Sequence, residues 1–354
     1  MVNDQDVLVE EIPGQDGALG LLTLNRPQVL NALNLSMIHA LHAALQRFAV
    51  AAHIKAVVIR AAAGRAFCAG GDLRLIYDHA HAADKTAAHY FRDEYQLNRC
   101  IFHFPKPYIA LLDGITMGGG VGISVHGSHR VATDKLVFAL PETGIGFFPD
   151  VGATYLLPRL ANNVGFYLGL TGIPLKGDEC VALGIAQQKV ASDALPALWE
   201  ALIQQPLGKD PKTTVTQLIQ HYAEPVKTSP LLLEQEAIKT HFSAVTVEAI
   251  LESLQEAKTP LCQAAATIIL KKSPTSLKVT LNALQRGKNL AFDECMQQEY
   301  RLSCHFLEGH DFFEGIRAVI IDKDQTPKWQ PAELSAITPE AVERYFSPIK
   351  NELV

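Results

Sequence analysis

An α/β fold with a helical C-terminal region is what this chain should adopt, and three features of the sequence point there. Short β-prone runs alternate with 3.6-periodic stretches over the first two hundred residues. The strand pattern stops near Ala194, after which helical periodicity dominates. Glycine clusters sit where strands should hand over to helices. With 48% hydrophobic and 19% charged residues in 354, the chain has ample material for a core and does not have a disordered composition.

Taken in order, Val7–Ile12 and Leu19–Asn25 read as strands joined by the Gly14–Gly20 turn region. Asn34–Ala49 reads as a helix, with Met37, Ile38, Leu41, Leu45 and Phe48 on one face. Lys55–Arg60 is a compact strand, and Ala61–Asp72 a loop of small residues. Two helical patterns cross Leu73–Phe104, before Pro105 and Pro107. Tyr108–Leu112 is a strand, Gly114–Gly122 is glycine-rich, and Gly122–His126 is the helix it opens. His129–Ala132 and Leu136–Leu140 are strands, the second stopped by Pro141. Helical periodicity then marks Pro230–His241, Val245–Glu256, Pro260–Lys271, Ala291–Phe306 and Phe312–Ile321. The Pro206–Pro211 stretch is the natural boundary. It divides the chain into an α/β core, 1–205, and a helical region, 206–354, expected to pack on that core.

A net charge of −6 creates no field that would gather nucleic acid or anionic lipid. Six cysteines without a C-x-x-C pair fit a reducing compartment better than a disulfide framework. The N-terminal MVNDQDVLVEE lacks the features of a signal or transit peptide, and no run reaches the ~18 apolar residues of a membrane helix. A soluble, cytoplasmic protein is the expectation.

Three segments carry chemistry. Ala66-Phe67-Cys68-Ala69-Gly70-Gly71-Asp72 follows a strand, and its small residues let backbone N–H groups approach a ligand; a plain tight turn would look the same. In Gly114–Gly122, consecutive glycines at a helix start leave N–H donors facing outward with the helix dipole behind them. Close packing of helix on sheet would also use glycine there. The spacing fits neither a P-loop nor a dinucleotide fingerprint. Finally, Glu142 and Asp150 stand eight residues apart among Thr, Gly, Ile, Phe and Pro, with no Lys or Arg between them. Carboxylates in apolar surroundings have raised pKa values, as general acids and bases require. Exposed loop acids, or Asp150 as the cap of a helix starting near Val151, are the alternatives.

Together these segments make one device: paired amides to polarise a carbonyl and a carboxylate to act beside it, suited to an acyl thioester. Other patterns weigh less. Gly122-Ile123-Ser124-Val125-His126-Gly127 is one residue too long for a nucleophile elbow. His79, His81 and His89 lack the spacing or acidic company of a metal site, so no metal is expected. Lys271-Lys272 reads as charge at a helix end.

At these segments the sequence resembles the enoyl-CoA hydratase/isomerase (crotonase) superfamily, and within it the 3-hydroxyisobutyryl-CoA hydrolase branch. The resemblance rests on AFCAGGD (66–72), YFRDEYQLN (90–98), KPYIALLDGITMGGGVGISVHG (106–127), RVATDKLVFALPETGIGFFPDVGATYLLPRL (130–160) and TGIPLKGDEC (171–180). It implies a crotonase-like spiral of β-β-α turns and an acyl-CoA substrate, with CoA a part of that substrate and no separate cofactor. It implies an oxyanion hole from the N–H groups of Cys68 and Gly119. It makes Glu142 the catalytic carboxylate and Asp150 the group gripping a 3-hydroxyl. Glu94, Ala69, Gly70, Gly71, Asp72 and Gly118 become substrate-binding positions. A homo-oligomer is compatible with it.

One departure selects the reaction. Hydratases of the superfamily carry a second glutamate three residues after the middle glycine of the GGG triplet, and here Gly122 stands at that position. Losing one of two carboxylates disfavours water addition and fits hydrolysis of a short 3-hydroxyacyl-CoA, a step of valine breakdown. An isomerase or hydratase of the same superfamily is the alternative. A non-catalytic CoA-ester binder or an RNA binder is disfavoured by the two carboxylates and the acidic charge.

Overall fold

Strands β1 (Val7–Pro13) and β2 (Ala18–Leu24) form the expected antiparallel hairpin, with Glu10 opposite Leu21. A helix over Leu35–Val50 follows, and the Asn34 side chain caps it by accepting from the Met37 amide at 2.8 Å. This computed structural model describes residues 6–81 and 86–353. From here the chain repeats strand, strand, helix. β3 (Ile54–Ala61) and β4 (Ala66–Cys68) lead to helices Leu73–His81 and Thr86–Phe102. β5 (Tyr108–Leu112) and β6 (Ile115–Met117) lead to a one-turn helix, Gly119–Gly122. β7 (His129–Ala132) and β8 (Val137–Ala139) lead to the Glu142–Ile145 3-10 turn and the Ala153–Leu156 helix.

The two strands of each repeat go to different sheets. The six-stranded sheet runs β1-β2-β3-β5-β7-β10, and the four-stranded one runs β4-β6-β8-β9, with β9 (Leu175–Lys176) and β10 (Gln188–Lys189) closing them. From β2 onward the larger sheet is parallel. Parallel strands are covered on both faces, and β5 is accordingly buried at all five positions.

The chain divides into two compact units that ignore sequence order. One holds Met1–Gly71, Gln96–Phe138 and Pro174–Ser229; the other holds Asp72–Tyr95, Ala139–Ile173 and Pro230–Val354. In the first, helices Leu195–Gln204 and Pro211–His221 bury Leu198, Leu202, Val215 and Ile219 against Leu21, Val58, Ile109 and Val131 of the sheet. The Pro206–Pro211 boundary is thus the loop joining two helices of one unit. In the second, Pro274–Gly287 is buried on most of its surface and is the central helix. The sequence pattern marks no helix there.

Three local corrections follow. The Ala61–Asp72 segment contains β4, and Gly114–Gly122 contains β6; three-residue strands are too short to show a period. The helix placed at Gly122–His126 lies at Gly119–Gly122, because the turn begins at Gly118, whose φ of 46° suits glycine.

Candidate active site

In the first unit, two backbone segments approach each other because glycine permits it. β4 and β6 are parallel, with Ala66 opposite Ile115 and Cys68 opposite Thr116. A Cβ on Gly120 would lie 2.2 Å from the Cys68 carbonyl oxygen, and one on Gly70 would lie 3.7 Å from the Gly119 nitrogen. The amide of Gly119 opens its helix, so no preceding turn supplies it a carbonyl. The amides of Cys68 and Gly119 are therefore carried on adjoining, side-chain-poor backbone.

This loop is braced from behind. Asn31 donates from Nδ2 to the Ala66 carbonyl at 3.0 Å, and its Oδ1 accepts from the Arg26 amide at 2.8 Å. Leu33 donates its amide to the Gly70 carbonyl at 2.8 Å, and Gly71 bridges to Leu33. Ala69 gives its N–H to the Leu30 carbonyl at 3.0 Å, so that donor is already engaged.

The second unit holds the acids. Glu142 begins the 3-10 turn after Pro141 and is 5% exposed; Asp150 is equally buried, and Glu94, on the Thr86–Phe102 helix, is 2% exposed. The turn leaves through Gly146 at φ 70°, where a Cβ would meet the Asp311 carbonyl at 2.1 Å. Phe147 stacks on Phe91 at 5.3 Å and packs against Phe312 at 4.5 Å, while Phe148 stacks on Phe306 at 5.5 Å.

The electrostatic consequences follow from that burial. Desolvation, then the charge of Asp150, holds the Glu142 carboxyl well above its ordinary range, with Lys272 opposing. Desolvation raises Asp150 to about 7 against its hydrogen bond with Tyr95. Glu94 is pushed well up by desolvation and then by Asp150 and Glu142. Glu94 Oε1 and Glu142 Oε2 have no hydrogen-bond partner in the protein, although buried polar atoms are normally paired. Such atoms are set to meet a ligand or water.

Asp150 does not cap a helix with its side chain. Its Oδ2 lies 2.6 Å from the Tyr95 hydroxyl, and the Ala153 amide goes to its backbone carbonyl instead. After it, Val151 (φ 53°) and Gly152 (φ 85°) turn the chain through left-handed geometry, costly for a β-branched residue. Glu299 fixes this turn, accepting from the Gly152 amide at 2.7 Å, the Thr154 amide at 2.9 Å and the Thr154 hydroxyl at 2.6 Å.

Sequence reasoning singled out Glu94, Glu142 and Asp150 but passed over three neighbours. Tyr95 had a signal, standing beside Glu94 in YFRDEYQLN. Glu299, and Ser303 whose hydroxyl oxygen lies 2.6 Å from that of Tyr95, had none, since only the fold brings their helix here. Lys272, read as charge at a helix end, is partly buried and interacts electrostatically with Glu142. Its Nζ lies 3.0 Å from where a Cβ on Gly144 would be.

Comparison with known proteins shows the family of the chain. The family profile of enoyl-CoA hydratase/isomerase matches residues 19–346. The chain belongs to that family. It is 44% identical over 354 residues to the mitochondrial 3-hydroxyisobutyryl-CoA hydrolase of Homo sapiens, covering 99% of this chain and 91% of the relative. A carnitinyl-CoA dehydratase from Mycobacterium thermoresistibile superposes with a TM-score of 0.90 at 39% identity, covering 99% of this chain and 98% of the other. An enoyl-CoA hydratase from Rhodobacter sphaeroides 2.4.1 gives 0.86 at 35%, covering 98% of each chain. The repeating strand-strand-helix turns are the crotonase spiral the sequence suggested, followed by C-terminal helices. No helix among the described residues is long and apolar enough to cross a membrane.

Proposed function

We propose that this chain hydrolyses a short 3-hydroxyacyl-CoA thioester, with 3-hydroxyisobutyryl-CoA the foremost substrate, to 3-hydroxyisobutyrate and CoA. The supporting observation is the buried Glu142 with its unpartnered Oε2, in a chain whose Gly122 leaves no second hydratase-type glutamate. The hydrolase relative, aligned over nearly the whole chain, points the same way.

In this mechanism the Cys68 and Gly119 N–H groups bind the thioester oxygen as it gains charge. One such donor is worth roughly 2.7–4 kcal/mol in the transition state. Glu142 drives the attack, as a nucleophile giving a mixed anhydride or as a base on water. Asp150 and Glu94 hold the 3-hydroxyacyl group, the backbone of 69–72 and Gly118 lines the acyl-CoA, and no separate cofactor takes part. Glu142→Gln should lower thiol release by about 10²–10⁴-fold while leaving CoA-ester binding nearly intact. A variant that kept most of its turnover would refute the role given to Glu142.

A second reading has its own support. The two structural relatives named above are called a dehydratase and a hydratase, so an enoyl-CoA reaction on this scaffold is the rival. A chromogenic disulfide separates them, because hydrolysis releases a thiol and hydration or isomerisation does not.

For the compartment, the human relative's name carries the word mitochondrial. We place this chain in a reducing compartment such as the cytoplasm, on its six free cysteines. Fractionation of the native host would move the assignment if activity sedimented with an organelle. Assembly as a homo-oligomer is read directly by light scattering of the purified protein.

A further inference from the structure

The chain leaves Asp150 through left-handed backbone, Val151 at φ 53° and Gly152 at φ 85°. Glycine takes that geometry freely, whereas a β-branched residue takes it only where its surroundings impose it. Here a single side chain grips the turn from outside. Glu299, fully buried on the Phe292–Leu307 helix, accepts the Gly152 amide on Oε2 at 2.7 Å. Its Oε1 accepts the Thr154 amide at 2.9 Å and the Thr154 hydroxyl at 2.6 Å. Both oxygens of a buried acid are thus committed to the residues that follow Asp150.

An aspartate carboxyl stands one methylene from its Cα, so it goes where the backbone sends it. Tyr95 completes the placement by donating its hydroxyl to Asp150 Oδ2 at 2.6 Å. All of these groups belong to the second unit.

We propose that Glu299 is a positioning residue for substrate choice: by holding the Val151–Gly152 turn it sets where the Asp150 carboxyl stands, and with it the preference for an acyl group that carries a 3-hydroxyl over one that lacks it. The proposal rests on the reading above in which Asp150 meets that hydroxyl. A buried polar group aimed at a substrate hydroxyl is left unpaired by the analogue without one, and that is how such a site discriminates. Hydrogen bonds weaken steeply with distance and angle, so a small shift of the turn erodes the preference without touching the rest of the acyl-CoA.

Glu299→Gln tests this at nearly constant volume. Whichever way the new amide turns, its NH2 faces the backbone N–H of Gly152 or of Thr154, donor against donor. The probes are two non-hydrolysable thioethers, S-(3-hydroxy-2-methylpropyl)-CoA and S-(2-methylpropyl)-CoA, titrated calorimetrically into the full-length enzyme. The unaltered enzyme should prefer the hydroxylated probe by about tenfold or more, and Glu299→Gln should remove most of that preference. Binding of the probe without the hydroxyl should stay nearly unchanged. In an Asp150→Ala background, Glu299→Gln should alter the preference no further, because its effect runs through Asp150. An intact preference, equal weakening of both probes, or a further change without Asp150 would overturn the proposal, as would an unaltered enzyme with no preference. Should Glu299→Gln not fold, Glu299→Asp, which draws the carboxyl back by one methylene, is read by the same outcomes. Thiol release from 3-hydroxyisobutyryl-CoA is scored separately. The predicted shift in an enzyme that releases no thiol would keep the role of Glu299 and remove the hydrolase reading; thiol release with an unmoved preference would do the reverse.

Discussion

Gly120 shows how tightly single residues constrain this molecule. A methyl there would sit 2.2 Å from the Cys68 carbonyl, and backbone cannot give way as a side-chain tip can. Gly120→Ala should therefore destabilise the protein by about 1–3 kcal/mol. Because the shift falls on the strand that carries the Cys68 amide, it should also cut kcat by about 10²-fold. Denaturant unfolding and thiol release measure the two effects; a stable, fully active variant would show that the amides are not held by this contact. Sequence alone offered two explanations for the glycine triplet, ligand approach and close packing, and at position 120 the structure shows the packing. Similarly, Asp150 stood between helix cap and functional acid until its side chain was found on Tyr95 rather than on an amide of the following helix.

Among the elements, short strands at the ends of the sheets depend on side-chain locks. β10 has two residues, and its Lys189, 3% exposed, reaches Asp178 on the Gly177–Ala182 helix at 2.7 Å and Glu224 at 3.6 Å. Asp178 Oδ1 also accepts from the Lys227 amide at 2.9 Å. Asp178→Ala leaves a buried ammonium with its weaker partner alone and should cost roughly 2–3 kcal/mol, below the range for a fully orphaned buried charge. A loss of unfolding free energy in urea of under a tenth of that would mean the lock is idle. The elements that periodicity found, such as the hairpin and the Leu35–Val50 helix, are those long enough to repeat a pattern. β4 and β6 have three residues each, one alternation at most, and their pairing partners lie some fifty residues apart.

For the whole molecule, the buried acids tie stability to pH. Glu299, driven to about 8 by desolvation against three hydrogen bonds, and Asp150, at about 7, hold protons that the unfolded chain releases near 4.5 and 3.8. The folded state then binds more protons than the unfolded one, so stability falls as pH rises through that interval. His129 acts in the opposite sense: desolvation lowers it from 6.5 to about 4, so it favours folding as pH rises through that lower window. Above pH 6.5 only the acids remain, and the thermal midpoint should drop by at least about 2 °C between pH 6.5 and 8.5. A flat or rising midpoint there would contradict the burial of these carboxyls. The order of strands and helices, the glycine-rich junctions and two of the acids were written in the sequence, since propensity, periodicity and an apolar setting are local properties. The company those acids keep was decided by tertiary structure. Tyr95, Lys272, Glu299 and Ser303 come from distant stretches of chain, and desolvation and hydrogen-bond geometry exist only once those stretches are packed together.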